Sequence, residues 1–120
     1  MLDTLWLTDL LSPFGTPSVR RMFGGQGIYL DGLMIGLGAA GVFYLKSDDQ
    51  TAAAFDAAGL EAFAFRDRDG GSVSTSYRRA PAEALDDPEA MRPWIEDARQ
   101  AAMRAAARRR KRPPRRAASR

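Results

Sequence analysis

The chain has 120 residues, 45% of them hydrophobic, which suits one compact domain with a short extension. It contains neither cysteine nor histidine. That excludes disulfides, thiolate metal sites and imidazole acid–base chemistry, and leaves only carboxylates to bind zinc. The net charge of +3 is divided unevenly: residues 1–103 hold nine basic residues against all fifteen acids, a net −6, while nine basic residues and no acid fall from Arg104 onward.

The opening Met1-Leu2-Asp3-Thr4-Leu5-Trp6-Leu7 carries no basic region of the secretory kind, and no apolar run approaches the roughly 18 residues that span a bilayer. The expectation is a cytoplasmic protein without membrane contact. Leu2, Leu5, Trp6, Leu10 and Leu11 recur at three- and four-residue intervals and predict a short amphipathic helix, ended by Ser12-Pro13 and Gly15. Pro17 to Met22 is β-permissive and starts a strand.

Asp31-Gly32 is a two-residue hairpin turn of the type that requires positive φ at both central positions. Folding there sets Leu30 opposite Leu33 and Ile28 opposite Ile35, with Leu37 on the same apolar face. The other face then pairs Tyr29 with Met34 and Gly27 with Gly36, leaving bare backbone for Tyr29 to lie across or another element to approach. Gly38 to Gly41 forms a second turn. Val42-Phe43-Tyr44-Leu45-Lys46 is apolar enough to be a central strand.

Asp48 or Asp49 is placed to cap a helix running to Ala58, with Gly59 as its stop. Phe63 and Phe65 mark another strand, Asp67 to Gly71 a polar turn, and Ser72 to Tyr77 a strand with the alternation of a sheet edge. Pro81 to Leu85 allows a turn of helix. Asp87-Pro88-Glu89 then opens a long one, whose stripe is Met91, Trp94, Ile95, Ala98, Ala101, Ala102 and Ala105. Its bulky residues come first, so the first half is expected to dock and the alanine half to bury little. Pro113-Pro114 ends any helix, and residues 113–120 are expected to be disordered.

These elements predict an α+β fold: a single domain with an antiparallel sheet flanked by helices, a long C-terminal helix and a disordered basic tail. The connections are short, and short connections favour antiparallel pairing. The division expected is a domain over 1–103 and a helix extension with tail over 104–120.

The catalytic patterns fail one by one. Gly24-Gly25-Gln26-Gly27 precedes strand-like alternation rather than a helix, and no Lys-Ser or Lys-Thr pair follows to complete a phosphate loop. The acid pairs Asp48-Asp49, Asp86-Asp87 and Glu96-Asp97 suit helix starts and solvated faces. Ser72, Ser74, Thr75 and Ser76 have no histidine to activate them. No enzyme activity, cofactor or metal is expected. The pairs Arg20-Arg21 and Arg78-Arg79 would each be expected to spend one arginine on a carboxylate and leave the other solvated, or, if brought together, to form an anion or partner patch.

The tail attracts polyanions. Arg108, Arg109, Arg110, Lys111, Arg112, Arg115 and Arg116 are candidate nucleic-acid contacts of a salt-dependent, sequence-independent kind. No aromatic residue follows Trp94 to stack on bases.

The run Arg21-Met22-Phe23-Gly24-Gly25-Gln26-Gly27-Ile28-Tyr29 resembles the R-x-M-F-G-G-x-G-I-Y region of the TfoX/Sxy family N-terminal domain, with Arg20 or Arg21 as the arginine. Asp31-Gly32, Phe43-Tyr44-Leu45-Lys46, Ser76-Tyr77 with Pro81, and Trp94 follow in the family's order, over about residues 1–100. The chain departs from it in two places: Ala39-Ala40-Gly41 stands where an acid-glycine turn is usual, and Ile35 where an aromatic is common. The resemblance implies an α+β domain without established catalytic residues. It also implies a role in regulating competence genes through a transcription-associated protein partner, although the longer regulators carry a further C-terminal domain. The residues marked for partner contact are Arg20, Arg21, Met22, Phe23, Gly24, Gly25, Tyr29, Tyr44 and Tyr77. The reading is a non-enzymatic regulatory or protein-interaction module; the alternative is a nucleic-acid-binding accessory protein acting through its tail.

Overall fold

A computed structural model describes residues 1–22 and 24–111. Phe23, the tail cations Arg112, Arg115 and Arg116, and the disorder expected over 113–120 lie outside the described residues. The elements run α1 (Thr4–Leu11), a 3₁₀ turn (Ser12–Phe14), β1 (Pro17–Met22), β2 (Gly25–Leu30), β3 (Leu33–Ala39), β4 (Val42–Lys46), α2 (Ala52–Ala57), β5 (Ala62–Arg66), β6 (Ser72–Arg79), a 3₁₀ turn (Ala82–Ala84) and α3 (Pro88–Lys111).

The six strands form one sheet, ordered β1-β2-β3-β4-β6-β5, and every neighbouring pair is antiparallel. The helices cover one face. Between them and the sheet lies the core of Leu7, Leu11, Ile28, Leu30, Ile35, Leu45, Phe55, Met91 and Ile95, each fully buried. The α+β class, the antiparallel sheet and the long last helix are as the sequence implied.

Several details differ from the sequence reading. Helix α1 starts only at Thr4, capped by Asp3, whose carboxylate accepts from the Leu5 N–H at 2.8 Å. Its buried residues are Leu7, Leu10 and Leu11, while Leu5 is 75% exposed. Leu2 is not helical. Its N–H donates to Gln26 Oε1 (2.8 Å) and its carbonyl accepts from Gln26 Nε2 (2.9 Å), so the nearly buried Gln26 amide is satisfied at both ends by one residue's backbone.

The Asp31-Gly32 turn has φ of +52° and +83°, the conformation foreseen, and Leu30 faces Leu33 and Tyr29 faces Met34. Beyond that the register shifts. Ile28 pairs with Gly36 and Gly27 with Leu37, leaving Ile35 as the extra residue of a β-bulge. A one-residue slip reverses the facing of everything after it. Leu37, expected on the core face, therefore lies on the opposite one. Gly36 turns toward the core, where an added Cβ would stand 2.5 Å from the Tyr44 carbonyl oxygen and 2.8 Å from the Phe43 ring.

The second turn is tighter than Gly38 to Gly41: it is Ala40-Gly41, at φ +52° and +77°. Asp48 does not cap α2 from the N-cap position. That helix begins after Thr51, while Asp48 accepts from the Gln50 N–H and is held by Arg104 of α3. The stop at Gly59 stands, at φ +72°.

Strand β6 is not an edge. It lies between β4 and β5, because β4, α2 and β5 form a crossover between like-directed strands into which β6 inserts. Only its end, Tyr77–Arg79, pairs with β4; the serine-rich start pairs with β5 alone. The alanine half of α3 buries more than expected. Ala98, Ala101, Ala102 and Ala105 are at most 8% exposed, because the small side chains let the helix lie close to the sheet. The helix runs unbroken through Arg104 to Lys111.

Candidate functional site: the open face of the sheet

Strand alternation sends Arg20 and Met22 of β1, Tyr29 of β2, Met34 and Leu37 of β3, Tyr44 and Lys46 of β4, Phe63 and Phe65 of β5, and Tyr77 of β6 to the face that carries no helix. The bulge is what adds Leu37 to this set. Arg20, Gly27, Leu37 and Tyr44 then stand in one register row across β1 to β4.

A cavity of about 550 Å³ opens on this face, within the range of ligand pockets. Met22, Met34 and Leu37 form one wall; Phe63, Phe65 and Tyr77 form the other. Gly24 and Gly25 also line it. On the same face Gly27 leaves room for two neighbours: a Cβ there would meet the Met22 methyl at 2.5 Å and the Tyr29 ring at 3.1 Å, so both side chains lie across its bare backbone.

The rings of the face are already engaged. Tyr44 packs on Phe63 with centroids 5.1 Å apart, and Phe63 on Phe65 at 6.2 Å. The Arg20 guanidinium sits 5.0 Å over Tyr29, and Lys46 Nζ 4.9 Å over Tyr77. Burial, with the nearby Tyr29 phenol adding to it, pushes the Tyr77 hydroxyl above the usual phenol range. Burial also holds the Lys46 ammonium below the usual lysine range, reinforced by the charges of Arg108 and Arg109.

The partner residues marked from the sequence are thus largely gathered. Arg20, Met22, Gly24, Gly25, Tyr29, Tyr44 and Tyr77 lie on the open face or line its cavity. Arg21 does not; strand alternation turns it to the opposite side of β1. Met34, Leu37, Lys46, Phe63 and Phe65 were missed. The alternation in Phe63-Ala64-Phe65 could have announced two of them, whereas Leu37 carries no sequence signal because the bulge alone places it.

The two arginine clusters stay apart, on β1 and β6. Arg78 donates to the Leu60 carbonyl (2.9 Å), pairs with Asp56 and lies over Phe55, tying α2 to the sheet. Arg79 pairs with Glu61 at 3.3 Å. Both members of that pair therefore meet carboxylates, whereas neither Arg20 nor Arg21 forms an ion pair among the described residues.

At the far end of α3, Arg108, Arg109, Arg110 and Lys111 are exposed in the last turn. Arg104 is not part of that set, since it binds Asp48 through two hydrogen bonds of 2.7 and 3.0 Å. Among the described residues no group of three or more Asp or Glu side chains could hold a metal ion, and no helix is long and apolar enough to cross a membrane.

Fold and face together define a two-layer α+β domain, helices behind and an open, apolar, cation-rimmed sheet face in front. The family model described as the TfoX N-terminal domain matches residues 9–102, and the chain belongs to that family. No curated protein matches it closely enough to be counted a relative.

Proposed function

We propose that this chain is a non-enzymatic regulatory module that acts by protein contact, through the helix-free face of its sheet. The observation that carries the reading is the run of outward apolar side chains around Met22, Met34, Leu37 and Phe65, with Phe65 47% exposed. An apolar surface of this kind, continuous and rimmed by polar groups, marks interaction sites. Membership of the TfoX N-terminal family supports a regulatory context, and control of competence genes with a transcription-associated partner is the specific role proposed within it.

The test is a Leu37→Glu variant expressed at the native level. It keeps the fold, because Leu37 faces away from the core, and it lowers expression of the DNA-uptake genes to that of a deletion strain. Native expression in a folded, equally abundant variant refutes the contact face.

A second reading is favoured by the exposed cations of the last α3 turn: non-specific nucleic-acid binding at the C-terminal end. Truncation after Ala107 is the proper test, because it spares Arg104 and the buried Ala105. Gel shifts at low salt should disappear in the truncated chain; a full-length chain that gives no shift ends this reading.

A further inference from the structure

Asp and Glu are absent from all six strands, although residues 1–103 as a whole are acidic. The strands instead carry Arg20, Arg21, Lys46, Arg66, Arg78 and Arg79. Arg78 and Arg79 are neutralised by Asp56 and Glu61, and Arg66 donates to the Gly70 carbonyl. Arg20 and Lys46 meet aromatic rings, and Lys46 also donates to Ser76 Oγ; neither forms an ion pair among the described residues. Lys46 lies besides in the field of Arg108 and Arg109, each of which outweighs the opposing charge of Asp48. The open face thus combines an apolar cleft with two cations, Arg20 and Lys46, that form no ion pair among the described residues.

We propose that this face binds an acidic, amphipathic segment of a protein partner, with one bulky apolar side chain in the cleft between Met34, Leu37, Phe65 and Tyr77 and carboxylates on Arg20 and Lys46. This rests on the contact-face reading above and adds the chemistry of the partner. Charge complementarity selects the occupant. A second copy would bring cation against cation on the same face. Arg20 and Lys46 stand on β1 and β4, three strand spacings or roughly 14 Å apart, a span that a peptide covers and a single small anion does not. Single-stranded nucleic acid is the poorer fit. Its bases need a run of free ring faces, whereas Tyr29 and Tyr77 are covered by cations, Tyr44 packs on Phe63, and Phe65 is the single exposed ring of the cleft, too few for successive bases to stack on.

The experiment selects random peptides of about twelve residues on the immobilised full chain, then measures the affinity of the enriched peptides by fluorescence anisotropy. Enrichment of Asp and Glu around a Leu, Met or Phe is expected. Binding should weaken at least about tenfold with Leu37→Glu or Phe65→Glu and about three- to tenfold with Arg20→Ala/Lys46→Ala, and should fall as salt rises. Circular dichroism melting of each variant separates lost binding from lost folding, and Phe65, already half exposed, is the variant safest for the fold.

Neutral or basic peptides that still lose binding with Leu37→Glu overturn the acidic partner and leave the contact face standing. Peptides indifferent to Leu37→Glu and Phe65→Glu overturn both, including acidic ones held by the C-terminal cations alone. Failure to enrich any peptide also overturns both. Binding of oligothymidylate with the same sensitivity to these variants, or a dimer in sedimentation that Leu37→Glu dissociates, overturns the proposal in favour of that occupant.

Discussion

Ala40 occupies the first position of the β3–β4 turn at φ +52°, next to Gly41 at +77°. Asp31-Gly32 has nearly the same pair of angles with residues suited to them. A left-handed alanine costs about 1 kcal/mol, so Ala40→Asn or Ala40→Asp should stabilise the domain by about 0.5–1 kcal/mol, read as a raised urea midpoint with unchanged slope. The acid-glycine turn common in the family stands at this position, which is why the departure was visible in the sequence. Its energetic sign needed the backbone angle.

Gly36 makes the opposite case. Its added Cβ would collide with the Tyr44 carbonyl oxygen, a backbone atom that cannot move aside. Gly36→Ala should therefore destabilise by about 1–3 kcal/mol, measured in the same titration. The sequence marked Gly36 as a site of close approach but gave the wrong neighbour, Gly27, because the bulge at Ile35 moves the pairing by one.

Helix α3 sets the geometry at the scale of elements. Its alanine stripe of Ala98, Ala101, Ala102 and Ala105 lies against the sheet with almost no exposure. Reading alanine as a residue that buries little area is right for each side chain and wrong for the helix, since small side chains permit the closest backbone approach. Ala98→Leu keeps helix propensity and adds apolar area, yet it should cost about 1–3 kcal/mol by overpacking; a rise in melting temperature would contradict the close packing.

The same helix carries the two pairs that lock it in place. Arg99 reaches Asp31 at 3.1 Å and the Phe14 carbonyl, clasping the hairpin turn to the loop after α1. Arg104 holds Asp48 at the β4–α2 connection. Arg104→Ala should lower the urea midpoint without changing the slope, and Arg104→Lys should recover only part of the loss, because lysine cannot form the two-point contact.

Carboxylate ionisation connects these contacts to the stability of the whole molecule. Asp31 is held below the usual carboxylate range by the Thr16 N–H and then Arg99, Asp48 by Arg104 above all, and Glu61 by its backbone N–H and then Arg79. A pKa lowered on folding contributes stability above the unfolded value, near 4, and that contribution is lost as pH falls through the folded value. Urea stability should therefore be level above about pH 5 and fall below about pH 4. Asp48→Asn should be less stable at neutral pH and lose less on acidification. An equal acid loss in both chains would remove Asp48 from this account.

At the same scale, the α+β class, the hairpin, the final helix and the family were all legible in the sequence. They depend on local chemistry: Asp31-Gly32 accepts positive φ, Gly59 stops a helix, Pro88 begins one, and the glycine-rich run with its flanking strands is ordered along the chain. The open face was half legible, with Arg20, Met22, Tyr29, Tyr44 and Tyr77 identified and Leu37, Phe65 and Lys46 not. What only the tertiary structure decided was facing and pairing. The bulge turned Leu37 outward, the crossover inserted β6 beside β4 and left β5 at the edge, and Arg104 left the basic tail to bind Asp48. Turns and caps are fixed by residues adjacent in the chain, whereas facing and partnership are fixed by contacts between residues tens of positions apart, which no local pattern encodes.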